Sequence, residues 1–317
     1  MFIALAGGVG GAKLAGGLAA RLPARDLLVV VNTGDDFVHL GLNISPDLDT
    51  VTYWLADLND ANRGWGIRNE TWSFMSALER LGGPTWFQLG DRDLATHVER
   101  TRRLAEGRTL SQVTRELCVR LGIHHLIAPM SDQSVATMVH TAEGPLAFQE
   151  YFVRLQCKPA VLDITFEGIE SAGVSPAFRD AMSNRSLKAV LICPSNPFLS
   201  IAPILSLSGV NAWLRNRTFP VIALSPIVGG QAIKGPAAKL MKDFGRDVSA
   251  VGIAKYYSGL VDGLVIDAID AHLAPAIEAS GIKVLTVPSI MRTKDDQIAL
   301  AEQILAFASA LTGNIHA

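Results

Sequence analysis

The sequence predicts an α/β fold: a doubly wound, mostly parallel, Rossmann-like sheet with a helical insertion and a small β excursion. Three observations predict it. Short apolar runs alternate with helical patterns along the chain. Most of those runs are β-rich, free of charge and followed by a turn residue, as parallel strands buried on both faces are. The first run also ends in Gly7-Gly8-Val9-Gly10-Gly11, with Lys13 just beyond, and a glycine-rich turn between a strand and a helix is the phosphate-binding device of such folds.

The elements follow in order. Phe2–Leu5 reads as a buried strand, and a helix from about Gly11 to Leu22 carries Leu14, Leu18 and Leu22 on one face. Further strands are expected at Leu27–Val31, His125–Ala128, Lys188–Cys193, Val221–Leu224, Leu264–Ile266 and Val284–Val287. From about residue 45 to 121 the pattern turns helical. Ser45-Pro46-Asp47 is a helix start, with an N-cap candidate and then proline. Thr109 with Gln112 makes a capping box ahead of Leu110, Val113, Leu117 and Leu121. A β excursion is expected at Ala136–Thr141 and Leu146–Val153, joined by a Glu143-Gly144 turn. With no repeat and no long linker, residues 1–317 read as one domain: a core of about 1–44 and 122–317, and an insertion of about 45–121.

Composition excludes several classes. Of 317 residues, 49% are hydrophobic, enough for a large core. Lys+Arg 28 against Asp+Glu 30 gives a net charge of -2, which argues against a nucleic-acid partner. Arg92, Arg100, Arg102, Arg103 and Arg108 cluster without interleaved aromatics and read as a solvated helix face. No run is long and apolar enough for a membrane span, and the N-terminus enters a strand without a charged leader. Cys118, Cys157 and Cys193 are isolated, which fits a reducing cytoplasm. The histidines show no zinc spacing.

Ligands in doubly wound sheets sit at the carboxyl ends of the strands. Those ends here carry the glycine turn, Asn32-Thr33-Gly34-Asp35-Asp36, Pro129-Met130-Ser131-Asp132, Pro194-Ser195-Asn196-Pro197 and Ser225-Pro226-Ile227-Val228-Gly229-Gly230. The glycine turn is neither a dinucleotide fingerprint, whose third glycine would stand at Lys13, nor a P-loop, which needs Gly-Lys-Ser/Thr. A phosphate or diphosphate remains the expected ligand, and a tight turn for helix–strand packing the alternative. Asp35, Asp36 and Asp49 are the candidate catalytic or metal carboxylates. Carboxylates that face a phosphate loop repel it unless a cation such as Mg²⁺ bridges them. Asp47 and Asp49 also suit the first turn of a helix, where acids complement the dipole, and from i and i+2 they diverge. Asp91 and Asp93 have helix capping as their alternative. Ser195 and Asn196 suit a nucleotide contact or an Asx-type turn, and Ser225–Gly230 is equally open. Trp65, flanked by Gly64 and Gly66, offers a ring to a flat heterocycle.

Taken together these motifs resemble one family, the 2-phospho-L-lactate transferases of coenzyme F-420 biosynthesis, the CofD family. The resemblance spans nearly the whole chain. It rests on residues 7–13, 32–36, 45–50, Arg63-Gly64-Trp65-Gly66, residues 89–97, Phe148-Gln149-Glu150, residues 193–197 and residues 225–230. The family implies a Mg²⁺-dependent, homodimeric enzyme. It joins the ribityl hydroxyl of a deazaflavin, Fo, to a three-carbon phosphoacid carried on a guanosine diphosphate, with release of GMP. The resemblance implies a donor site of Gly7, Gly8, Val9, Gly10, Gly11, Lys13, Ser195, Asn196, Ser225 and Gly229. It implies a deazaflavin site of Asp49, Thr50, Trp65, Gln88 and Asp91, with Asp49 holding Mg²⁺ or orienting the attacking hydroxyl; Asp35 and Asp36 are second candidates for that role, Asp35 as a metal ligand. Gln88 stands where some relatives carry a basic residue. A second class is a non-catalytic nucleotide-sugar-binding regulator of YvcK type, but such proteins follow the acidic loop with a Gly/Ser/Arg-rich stretch, and here Phe37-Val38-His39-Leu40-Gly41 follows. An NAD-dependent dehydrogenase is disfavoured by Lys13 and by Asn32, where an acid would be needed.

Overall fold

The computed structural model describes residues 1–315. Strands β1 (Phe2–Ala6), β2 (Leu27–Val31), β3 (Leu126–Pro129), β4 (Ala189–Ile192), β5 (Val221–Leu224), β6 (Gly263–Asp267) and β7 (Lys283–Val287) form one sheet. Every pairing in it is parallel, in the order β7-β6-β5-β4-β1-β2-β3. All seven strands expected from the sequence are present. The chain winds outward from β1 to β3, returns, and winds outward the other way from β4 to β7. The reversal lies between β1 and β4, and a crevice opens at such a switch point.

The sheet is buried on both faces. Ile3, Leu5, Leu28, Val30, Val190 and Ile192 point into one core cluster. Phe2, Ala4, Ala6, Leu27, Val29, Val31 and Leu191 point into the other. The period of two sorts each strand onto both cores. The second core is closed by helix α1 (Gly8–Arg21) through Leu14 and Leu18, and by the long helix Lys294–Ile315 through Leu300 and Ile304.

Between β2 and β3 lie α2 (Pro46–Leu55), α3 (Ser73–Arg80), α4 (Asp91–Ala105) and α5 (Leu110–Arg120). The capping box of Thr109 and Gln112 forms at the start of α5, and Pro46 opens α2. Ser45, however, makes no cap with its hydroxyl, which donates to Asp36 at 2.7 Å.

Two expectations need correction, and one element is new. α1 begins at Gly8 rather than about Gly11, so Gly8 to Gly11 form its first turn instead of a loop ahead of it. The expected strand Leu146–Val153 ends early: Gly144–Ala147 pairs with Ala136–Thr141, and residues 150–154 turn helical. The third strand of this small antiparallel sheet is Asp163–Glu167. A hairpin of Phe37–His39 and Leu42–Ile44 was not expected. Its turn holds Leu40 and Gly41 at φ 52 and 76, and a leucine there gives no turn signal.

α1 packs on the C-terminal helix without room to spare, since a Cβ on Gly17 would collide with the backbone carbonyl of Gln297. Neither backbone can move without disturbing a helix. Gly17→Ala is therefore expected to lower stability by about 1–3 kcal/mol, read as a lower midpoint in urea unfolding. An unchanged midpoint would contradict this packing.

Candidate functional site

A cavity of about 510 Å³ lies over the carboxyl ends of β1, β4 and β5, with the insertion as its opposite wall. Its floor is the glycine turn. The first four N–H groups of a helix have no intrahelical partner. Here Gly7 N–H donates to Ser195 Oγ (3.0 Å) and Gly8 N–H to Asp47 Oδ1 (2.7 Å). The amides of Val9 and Gly10 find no acceptor among the described residues, and both residues line the cavity. Two donors at a helix N-terminus make an anion site. The glycines are also required for packing. A Cβ on Gly7 would lie 2.5 Å from Asp47 Oδ2, and one on Gly10 would strike the Pro194 carbonyl.

Around this floor the predicted donor residues divide. Lys13 lines the cavity, donates to the Met291 carbonyl (2.5 Å) and lies 5.7 Å from the Trp54 ring centroid. Burial, then nearby Lys234, lowers its pKa. Ser195 lines the cavity, but its hydroxyl is spent on Gly7, accepting from the N–H and donating to the carbonyl (2.7 Å). Asn196 caps the following helical turn through Oδ1, which accepts from Phe198 and Leu199 N–H, and this leaves its buried Nδ2 unpartnered at the cavity wall. Ser225 Oγ is held by the Ile227 backbone. Gly11 and Gly229 lie outside the cavity wall. Gly11 is packed on Ser195 and Ala6, and Gly229 N–H donates to Asp270 at 3.0 Å.

The carboxylates form two groups. Asp35 lines the cavity, and its buried Oδ1 has no hydrogen-bond partner. Burial, then Asp47 and Asp36, raises its pKa well above the ordinary carboxylate range. Asp36 lies outside the cavity wall beside Ser45 and is raised chiefly by burial. Asp47, accepting from Gly8 N–H and from Asn32 Nδ2 (3.0 Å), is pushed up to about 6 by burial.

Asp49 belongs to the second group. Both its oxygens are held by the buried Arg100 guanidinium, with Nη1 at 3.1 Å from Oδ2 and Nη2 on Oδ1. His97 Nδ1 lies 3.6 Å from Asp49 Oδ2, and His97 Nε2 lies 3.3 Å from Asp93 Oδ1, which also accepts from the Tyr53 hydroxyl at 2.6 Å. Burial opposes ionisation of Asp93, but His97 and Tyr53 outweigh it and hold its pKa below the usual range. Sequence reading missed Asp93, His97 and Arg100 as a unit. Their spacing on α4 places them on one helix face. The expected solvated arginine face holds for Arg102 and Arg108, but Arg100 and Arg103 are buried and ion-paired.

On the insertion side, Thr50, Trp65 and Gln88 line the cavity, with Trp86, Phe87 and Phe152. Gln88 is exposed and donates to the Thr85 carbonyl. Asp91 does not line the cavity. It accepts from Thr71 Oγ1 (2.5 Å) and from the Ser73 and Phe74 N–H groups (3.0 Å each), capping α3. Lys234, from the glycine-rich segment after β5, completes the wall.

A divalent cation fits the first group. Asp35 Oδ1 lacks a donor, Asp47 stands beside it, and oxygen ligands suit Mg²⁺. Asp49, Asp93 and His97 bring ligand atoms within 4.8 Å of one another, the one such cluster among the described residues. There Arg100 already supplies the positive charge to Asp49.

Among the described residues no helix is long and apolar enough to cross a membrane. A model of the family described as 2-phospho-L-lactate transferase CofD matches residues 2–295. A phosphoenolpyruvate transferase of Streptomyces griseus is 39% identical over 312 residues, covering 96% of this chain and 98% of its own. A 2-phospho-L-lactate transferase of Methanosarcina mazei is 38% identical over 303 residues, covering 96% and 99%. The crystal structure of protein BH3568 from Bacillus halodurans superposes with a TM-score of 0.63 at 12% identity, over 96% of this chain and 98% of that one, and so shares the fold.

Two predictions follow from these carboxylates. Arg100→Met leaves buried Asp49 without its counter-charge and is expected to cost about 3–5 kcal/mol, measured by urea unfolding; a loss under about 1 kcal/mol would contradict the pairing. The raised pKa values of Asp35, Asp36 and Asp47 mean that the native chain keeps protons the unfolded chain has lost. Stability from Asp47 therefore falls as pH rises from about 4 towards about 6, and Asp35 and Asp36, raised well above the ordinary range, extend the fall in the same direction. Mg²⁺ binding the deprotonated group should raise the melting temperature more at pH 8 than at pH 5. Equal shifts would argue against a carboxylate cation site.

Proposed function

The chain belongs to the 2-phospho-L-lactate transferase CofD family, and from that premise we propose the following reaction. The donor is a three-carbon phosphoacid (phospholactate, phosphoenolpyruvate or phosphoglycerate) activated as a guanosine diphosphate derivative. The acceptor is the terminal ribityl hydroxyl of the deazaflavin Fo. The hydroxyl oxygen attacks the phosphorus bearing the acid, the bond to the guanosine phosphate breaks, and GMP leaves.

The observation that carries this reading is one cavity with two unlike ends. At one end the Val9 and Gly10 amides and Lys13 offer hydrogen bonds and charge to a diphosphate. At the other, Trp65, Trp86 and Phe152 offer faces and edges to a flat ring. Phosphoryl transfer needs the reactants positioned and the charge stabilised, and little covalent help from the protein.

Roles follow from the contacts. Asn196 Nδ2 is the free polar donor on the side assigned to guanosine. Asp35, with Asp47, would hold Mg²⁺, which when bound neutralises phosphate charge. Asp49, fixed by Arg100, orients the attacking hydroxyl between the two ends. Asp36 supports Ser45 at the base of α2 rather than touching substrate.

The test is a mass-resolved assay. The protein, Fo and Mg²⁺ are mixed with the three guanosine diphosphate donors in competition. A deazaflavin product plus GMP is expected, and its mass names the preferred acid. No product, with nucleotide binding intact, would favour a nucleotide-binding regulator. Asp49→Asn is expected to lower kcat by about 100-fold or more, and normal turnover would remove Asp49 from the mechanism.

A further inference from the structure

Three cationic side chains, apart from His97, line the cavity: Lys13, Arg63 and Lys234. Two are already engaged. Lys13 donates to the Met291 carbonyl, and Arg63 pairs with Asp60 at 3.0 Å and lies over the Trp65 and Trp72 rings. Lys234 makes no hydrogen bond or ion pair with any described residue. An unpaired ammonium facing a cavity is a charge waiting for an anionic ligand.

Its position says which part of the ligand. A Cβ on Gly64 would collide with Lys234 Nζ and would lie 3.5 Å from Val9 Cγ2. The ammonium therefore reaches across to the insertion and stops beside the first turn of α1. Gly64, at φ 81, supplies both the backbone and the space for this crossing. Gly229, Gly230 and Gly235, at φ 57, 73 and 71, bend the segment that carries Lys234 back over the cavity. Nζ stands at the seam between the amide cradle and the tryptophan wall, which on the transferase reading is where the outer phosphoryl group would meet the acceptor.

Resting on the transferase reading above, we propose that Lys234 is a further catalytic residue, bonded to the transferred phosphoryl group and to the oxygen that bridges it to the nucleotide. As the ribityl oxygen forms its bond to phosphorus, the bridging P–O bond breaks and its electron pair stays on that oxygen, which departs as part of GMP. The hydroxyl proton passes to a cavity carboxylate and on to water. The ammonium neutralises the charge that grows on the bridging oxygen, a contact stronger in the transition state than in the ground state.

The test compares wild type, Lys234→Met and Lys234→Arg. Binding of GDP and of GMP is measured by calorimetry, and turnover with Fo and the preferred donor. Lys234 is exposed, so the variants should melt as wild type does. Lys234→Met is expected to weaken GDP by about tenfold and GMP by clearly less, since GMP keeps only one of the two groups the ammonium contacts. It should also lower kcat by about 100-fold, with the KM for Fo little altered, and Lys234→Arg should recover part of both. Undiminished kcat, or equal weakening of GDP and GMP, would overturn the assignment while leaving the transferase standing. Wild-type protein that binds neither nucleotide would overturn the transferase reading and this one with it.

Discussion

The Asp47 carboxylate holds the working end of this molecule together. One oxygen accepts from the Gly8 amide at the start of α1 and the other from Asn32 at the end of β2. Asp47 itself sits in the first turn of α2, where the insertion begins. One side chain thus ties the glycine turn, the second strand and the insertion to a common point. Burial makes this expensive, as its raised pKa shows, and the two donors offset part of the cost. Ser195, tied to Gly7 from the far side of the switch point, fixes the same turn from β4.

The other half of the site is held by opposite means. The Asp35 group is crowded with carboxylates and short of donors, so its charge is unsatisfied within the protein. The charge of the Asp49 group is met within it, by a guanidinium on Asp49 and a phenol on Asp93, with the His97 ring between the two acids. That division separates a place suited to a cation from a place suited to a fixed, oriented acceptor. Two acids at i and i+2 of one helix serve both because their side chains diverge.

The sheet was legible because parallel strands buried on both faces leave uninterrupted apolar runs, and β1, β2, β4, β5 and β6 are such runs. The glycine turn and the polar strand ends were legible for the same reason: they interrupt those runs. Helix starts at Pro46 and Thr109 were written in local chemistry. What could not be read was tertiary choice. Gly8 to Gly11 joined the helix because Ser195 and Asp47 take the amides of Gly7 and Gly8 at its start. Asp91 looked like a ligand and became a cap because Thr71, Ser73 and Phe74 meet it. Arg100 looked like a surface charge within an arginine-rich helix, and only the pairing of α4 with Asp49 of α2 turned it inward. Lys234 carried no local signal, since its meaning depends on where a distant glycine lies.

The tie between Gly7 and Ser195 joins positions 188 residues apart, and β1 lies between β2 and β4 in the sheet. On the ribosome β1 can pair with β2 soon after both emerge, yet it lacks its other neighbour until β4, far later in the sequence, has followed. Until then one edge of β1 is bare and the glycine turn is unfinished. Such exposed edges are the segments that invite mispairing during synthesis. The site is therefore completed only long after its own first residues have been made.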